Sequence, residues 1–119
     1  KTMDGINNSC GNLCLHLCGN LQHYLGAILG KSGYVRNRDA EFSSKNIPKE
    51  KVIEEINRTK EAVSKALSSL SQDDLQKIYP QNFLGKEVTV EYYIIYSFTH
   101  FDYHVGQINY LRRLMNPGK

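Results

Sequence analysis

The longest stretch with a single periodicity runs from Thr89 to Met115, too long for a strand. Ile94, Ser97, Phe101, His104, Ile108 and Leu111 recur at three- and four-residue steps, so one face of an α-helix carries the apolar positions together with a histidine. Thr89 is placed to cap this helix and Asn116-Pro-Gly to close it. A second helical pattern covers Cys10 to Leu29, with Ser9 as the expected N-cap and Gly30 as a stop. Leu13, His16, Leu17, Asn20, His23 and Ala27 share one side. Leu15, Leu21, Leu25 and Ile28 widen the apolar surface, which predicts a helix covered on most of its circumference. A third pattern follows Pro48, with Glu50 in its first turn. There Val52, Ile56, Thr59, Val63, Ala66 or Leu67, and Leu70 repeat against a charged outer face.

The segments between these helices read differently. Residues 1–8 are polar and suggest an irregular lead-in. Residues 31–47 have no helical period and carry Gly, Asn, Ser and alternating charges, a long connection of the kind that often holds function. Ser71-Gln-Asp-Asp74 has the form of a capping box with Asp in place of Glu, which predicts a single turn through Ile78 before Tyr79-Pro80 breaks it. The fold class is therefore all-α, one domain over residues 1–119, built as an up-down helical bundle with three long helices evident. Amphipathic helices of this length usually bundle in fours, so the fourth would come from a partner subunit or from a helix lost at the N-terminus.

Composition narrows the function classes. The net charge of +3 is spread along the chain without a Lys/Arg block, so no nucleic-acid partner is expected. No apolar run approaches the roughly 20 residues that span a bilayer and no signal-peptide pattern opens the chain, so a cytoplasmic address without membrane attachment is expected. Cys10, Cys14 and Cys18 would form a thiol stripe on one helix face. Their odd number and the lack of any other Cys argue for small apolar packing residues rather than a disulfide or soft-metal site. Tyr92, Tyr103 and Tyr110 on the outer side of the last helix suggest either a homodimer surface or a face beside the missing helix.

The histidines carry the candidate chemistry. His100 and His104 are one helical turn apart, so their imidazoles project side by side and can grip one divalent ion. The third ligand must come from elsewhere. His16 and His23 compete for it: they lie within about 20° around their helix but about 10 Å apart along it, so only one can meet the pair. His16 is preferred because it lies in the middle of the apolar segment. His23, followed by Tyr24, would line the mouth of the pocket or face solvent, and Asp102 lies too far round the helix to be a ligand. Tyr96 and Tyr93 precede His100 by about one and two turns. They read first as packing residues, though either could hydrogen-bond a ligand or substrate. Arg36, Arg38, Asp39 and Glu41 would form surface ion pairs of little energy or face a substrate. Three neutral nitrogens suit Zn²⁺ or Ni²⁺ and leave room for water.

Three motifs, Leu15-His-Leu-Cys-Gly-Asn20, Val35-Arg-Asn-Arg-Asp-Ala-Glu-Phe42 and His100-Phe-Asp-Tyr-His-Val-Gly-Gln-Ile108, resemble those of the DinB-like superfamily of damage-inducible and YfiT-type proteins. The similarity covers about Asn12 to Met115, and the His-x-x-x-His-x-Gly-Gln element is its most specific part. The resemblance implies a four-helix bundle holding a divalent metal, often nickel or zinc, on His16, His100 and His104. It also implies a further N-terminal helix, for which Lys1 to Asn8 leave no space. Its members include S-transferases that use a low-molecular-weight thiol and metal-dependent hydrolases. A His₃ ion with an open position lowers the pKa of bound water towards ~7 or holds a thiolate. No Glu or Asp stands beside the ligands as a general base, and, mainly by what the resemblance implies, thiol transfer to a small-molecule substrate is slightly favoured over hydrolysis. A non-catalytic metal- or ligand-binding stress-response protein is the remaining reading.

Overall fold

Residues 10–115 are described by the structure, a computed structural model. The lead-in, the Ser9 cap and the Asn116-Pro-Gly stop lie outside the described residues. Among those described there is no strand, and the chain is all-α. Helix α1 (Cys10–Leu21) runs into a π-helical stretch (Gln22–Ala27) and is followed by α2 (Arg38–Ser43), α3 (Lys49–Ser68), α4 (Gln72–Leu75) and α5 (Val90–Met115). Helix α1 is the hub, packing against α2, α3 and α5. Its burial on most sides follows from the apolar residues on most of its circumference.

Three local expectations are corrected. The first concerns the end of the α1 segment, which does not stay α-helical to Leu29. From Gln22 the turns widen, so that Ile28 N donates to His23 O at 3.1 Å and Gly30 N to Leu25 O at 3.0 Å, each five residues back. Gly30 also serves a different purpose from a left-handed stop. A Cβ there would stand 2.8 Å from the Ala66 Cβ, so the glycine lets this segment approach α3 closely, and the left-handed backbone falls on Lys31 instead (φ 53°). The second correction is that residues 31–47 are not without a helix. Asn37 accepts a hydrogen bond from Ala40 N through its side chain and caps α2, a helix too short to show a period.

The third concerns the apolar faces of α3 and α5. They do not close on each other: Ile56 and Phe101, both expected inside, border a groove of about 510 Å³ between α1, α3 and α5, together with Leu17, Leu21, Val63 and Phe98. The well-filled core lies at the other end of α5. Tyr79 is 2% exposed, stacks on Tyr93 with ring centroids 4.1 Å apart, and donates its hydroxyl to Tyr24 O at 2.6 Å. Leu25 and Val90 complete this cluster. The connection into α5 is tied by an antiparallel bridge between Ile78 and Thr89, and Thr89 Oγ1 accepts from Tyr92 N at 3.1 Å, the expected cap.

The Ser71 capping box forms as its sequence predicts, though α4 ends at Leu75. Asp74 accepts from Ser71 N at 2.9 Å and from Lys77 at 3.0 Å, and these bonds, the Ser71 backbone first, hold its carboxyl down at about 2. Because the folded value lies below the ordinary 3.8, the stabilisation is present above 3.8 and is lost as pH falls through about 2. An NMR titration of the side-chain carboxyl should therefore place the Asp74 midpoint near 2, and a midpoint at 3.8 would refute the cap's electrostatic role.

Candidate metal centre

His16 lies midway along α1, where the helix is buried, and His100 and His104 lie one turn apart on α5, which packs against it. The three rings meet: centroids are 5.8 Å apart for His16 and His100, 5.0 Å for His16 and His104, and 4.5 Å for His100 and His104. One ring nitrogen from each lies within 4.8 Å of the others, close enough to hold one metal ion. No other cluster of three His, Cys, Asp or Glu among the described residues does so.

The hydrogen bonds show which nitrogens are free. His104 Nδ1 lies 2.6 Å from Gln107 Oε1, which can only accept, so Nδ1 carries the proton and Nε2 presents its lone pair. His16 Nδ1 lies 3.2 Å from Glu41 Oε1, an acceptor, and 3.3 Å from Arg36 Nη2, a donor; when Nδ1 donates to Glu41, Nε2 is the bare nitrogen. His104 Nε2 and His100 Nε2 face each other at 3.2 Å. Two imidazole nitrogens so placed share one proton or one cation, and a set of neutral nitrogens is a donor set for a borderline divalent ion. Protonation of His16 and His100 is disfavoured. Burial lowers the His16 pKa, countered by the Glu41 bond and reinforced by His104; burial, then His104 and His16, lower that of His100. The donor set therefore fits the ion.

Glu41 and Arg36 read in the sequence as loop charges, and neither their burial nor the contact with His16 is expected from it. The Arg36–Glu41 pair is not the weak surface pair expected of the loop: their side chains are 11% and 7% exposed, with Arg36 Nε on Oε2 and Nη2 on Oε1, both at 2.8 Å. Capping by Asn37 turns α2 so that Glu41 points inwards. Asn12 holds α2 to α1 by donating to Glu41 O at 2.9 Å and Ser44 O at 2.8 Å. Gly19 makes the room, since a Cβ there would lie 1.8 Å from Glu41 Oε2. The sequence signal was present in Arg36-x-x-x-x-Glu41 and in Gly19 three residues after His16, but neither spacing announces burial.

The triad opens on a polar cleft of about 590 Å³, lined also by Asn20, Tyr24, Arg36, Arg38, Phe42 and Gln107. Arg38 stands over the Phe42 ring, 5.4 Å from its centroid. Of the second-rank candidates, Asn20, Arg36 and Arg38 thus reach the cleft. His23 does not line it and packs edge-on against Tyr24. Tyr93 is drawn into the core against Tyr79, whereas Tyr96 stacks on His100 with centroids 5.9 Å apart. Cys14 and Cys18 border the apolar groove, where burial raises their thiol pKa values, and they take no part in the metal cluster.

A family model described as a protein of unknown function, DUF1572, matches residues 1–119. The chain belongs to the DUF1572 family. No curated protein and no solved structure matches it.

For this DUF1572 protein the geometry gives two direct expectations. His16→Ala, His100→Ala and His104→Ala should each weaken Ni²⁺ and Zn²⁺ binding by at least about 100-fold in calorimetric titrations, more than loss of an outer-shell partner does. Equal binding by all three variants and the parent would place the ion elsewhere. Gly19→Ala should destabilise the protein by about 1–3 kcal/mol in chemical denaturation, because Glu41 is pinned at both oxygens and cannot yield to the added methyl.

Proposed function

We propose that this protein is a DinB-like metalloenzyme in which His16, His100 and His104 hold Ni²⁺ or Zn²⁺, and that it transfers a low-molecular-weight thiol to a small electrophile. The observation that carries the reading is the three-imidazole cluster at the wall of an open polar cleft, with no carboxylate or thiolate completing the set among the described residues. A purely structural site would tend to be closed by a fourth protein ligand. The resemblance of the three motifs to those of DinB-like proteins supports the same reading. When bound, such an ion supplies Lewis acidity and lowers the pKa of a thiol or water at its open position.

The chain's own residues favour a thiol. Among the described residues Glu41 is the only carboxylate in contact with a triad histidine, and it is committed to Arg36 and His16, so no free carboxylate base among them faces the cleft. Hydrolysis needs such a base more than thiol transfer does, because a thiol loses its proton far more readily than water. In the transfer, sulfur forms a bond to the electrophilic carbon as the leaving group departs with its electron pair, and the thiol proton passes to solvent. Arg38, which no carboxylate pairs among the described residues, offers a cationic wall for an acidic group on the thiol, and Asn20 and Gln107 offer hydrogen bonds beside it.

Metal-loaded protein given an alkyl halide and a panel of acidic and neutral low-molecular-weight thiols should release halide only when metal is present, and faster with the acidic thiols. Metal-dependent melting without turnover across the panel would favour a non-catalytic metal-binding protein. Release of product from esters or amides instead would favour a hydrolase.

A further inference from the structure

The Arg36–Glu41–His16 contact contains a conflict of donors. His16 Nδ1 lies 3.2 Å from Glu41 Oε1, which can only accept from it, and 3.3 Å from Arg36 Nη2, which can only donate to it. Both cannot be used in the same tautomer. If Nδ1 carries the proton, it donates to the carboxylate and Nε2 is bare; if Nδ1 is bare, it accepts from Arg36 and Nε2 carries the proton, blind to any cation. Which state prevails depends on the group that holds both of them.

We infer that Glu41 is a positioning residue of the metal centre, selecting the His16 tautomer that presents Nε2 and fixing the ring's orientation. The inference rests on the metal-centre reading above. Three features of the fold serve this one carboxylate. Asn37 caps the short helix that carries it, Asn12 donates to its backbone oxygen, and the absence of a side chain at Gly19 admits its Oε2. An ion pair meant only to tie down the loop needs none of this burial, and buried pairs are weak sources of stability. Both carboxylate oxygens are occupied by Arg36, which fixes the carboxylate plane, and Oε1 is then aimed at His16 Nδ1. A carboxylate behind a metal-binding imidazole orients the ring and raises its basicity as a ligand.

Glu41→Gln separates this role from a structural one. The amide binds Arg36 less strongly, so Arg36 Nη2 is released towards His16 Nδ1 and the ring changes tautomer. In metal-free parent protein, long-range proton–nitrogen NMR spectra should show His16 protonated at Nδ1, and in Glu41→Gln protonated mainly at Nε2. Ni²⁺ and Zn²⁺ affinity should fall by about 10–100-fold in this variant. Arg36→Met combined with Glu41→Gln removes the competing donor and spares the fold an orphaned guanidinium. It should recover the Nδ1 tautomer and part of the lost affinity. Folded Glu41→Gln that binds both ions within about threefold of the parent, or a parent His16 protonated at Nε2, overturns the inference while leaving the metal centre standing. A parent that binds neither ion sinks the metal centre itself, and this role with it.

Discussion

The packing of α1 against α5 is the contact on which the functional geometry depends. An imidazole in the middle of a buried helix is costly unless it finds partners: His16 Nδ1 has Glu41 behind it, and the ring meets those of His100 and His104 in front. A shift of α1 by one residue along α5 would move the ring by about 1.5 Å and rotate it by about 100°, enough to break both contacts. The register of one helix pair is thus a condition for the site.

That register is held from outside the pair. On one flank, Gly26 and Gly30 let the wide-turned continuation of α1 lie close to Ala62 and Ala66 of α3. On the other, Asn12 clamps α1 to α2. At the far end, Tyr79 wedges between the π-helical segment and α5, bonded to Tyr24 and stacked on Tyr93. An aromatic series continues from Tyr93 through Tyr96 to His100 with centroids 5.8 Å and 5.9 Å apart, so the buried aromatic cluster adjoins the three histidines. Sites built on packed helices keep their geometry better than sites built on loops.

The two concavities of the protein contrast in chemistry. The polar cleft joins the histidines to Arg38 and Asn20, while the apolar groove runs on the other side of α1. Helix α1 separates them because its circumference is divided: Leu17 and Cys18 face the groove, His16 and Asn20 the cleft. Every buried side-chain nitrogen and oxygen among the described residues has a hydrogen-bond partner, so the polar groups at this divide are not left unsatisfied.

Much of this was legible in the chain itself. The 3.6-residue recurrence of apolar positions specifies where α3 and α5 run, Ser71 and Thr89 announce the caps of α4 and α5, and the i,i+4 spacing of His100 and His104 places two imidazoles on one helix face because helical geometry permits nothing else. His16 could be favoured over His23 from its position in an apolar segment and from the resemblance of its motif. What needed the tertiary structure was everything set by approach between segments. The turn widening after Leu21 has no local signature, and Gly30 reads as a stop until Ala66 is seen against it. Residues 38–43 are too few to show a period. Glu41 looks like one more loop charge until Gly19 and Arg36 enclose it. Periodicity and capping act within a few residues and so can be read along the chain, whereas burial of a charge depends on residues far apart in sequence, and only the folded packing determines which of them meet.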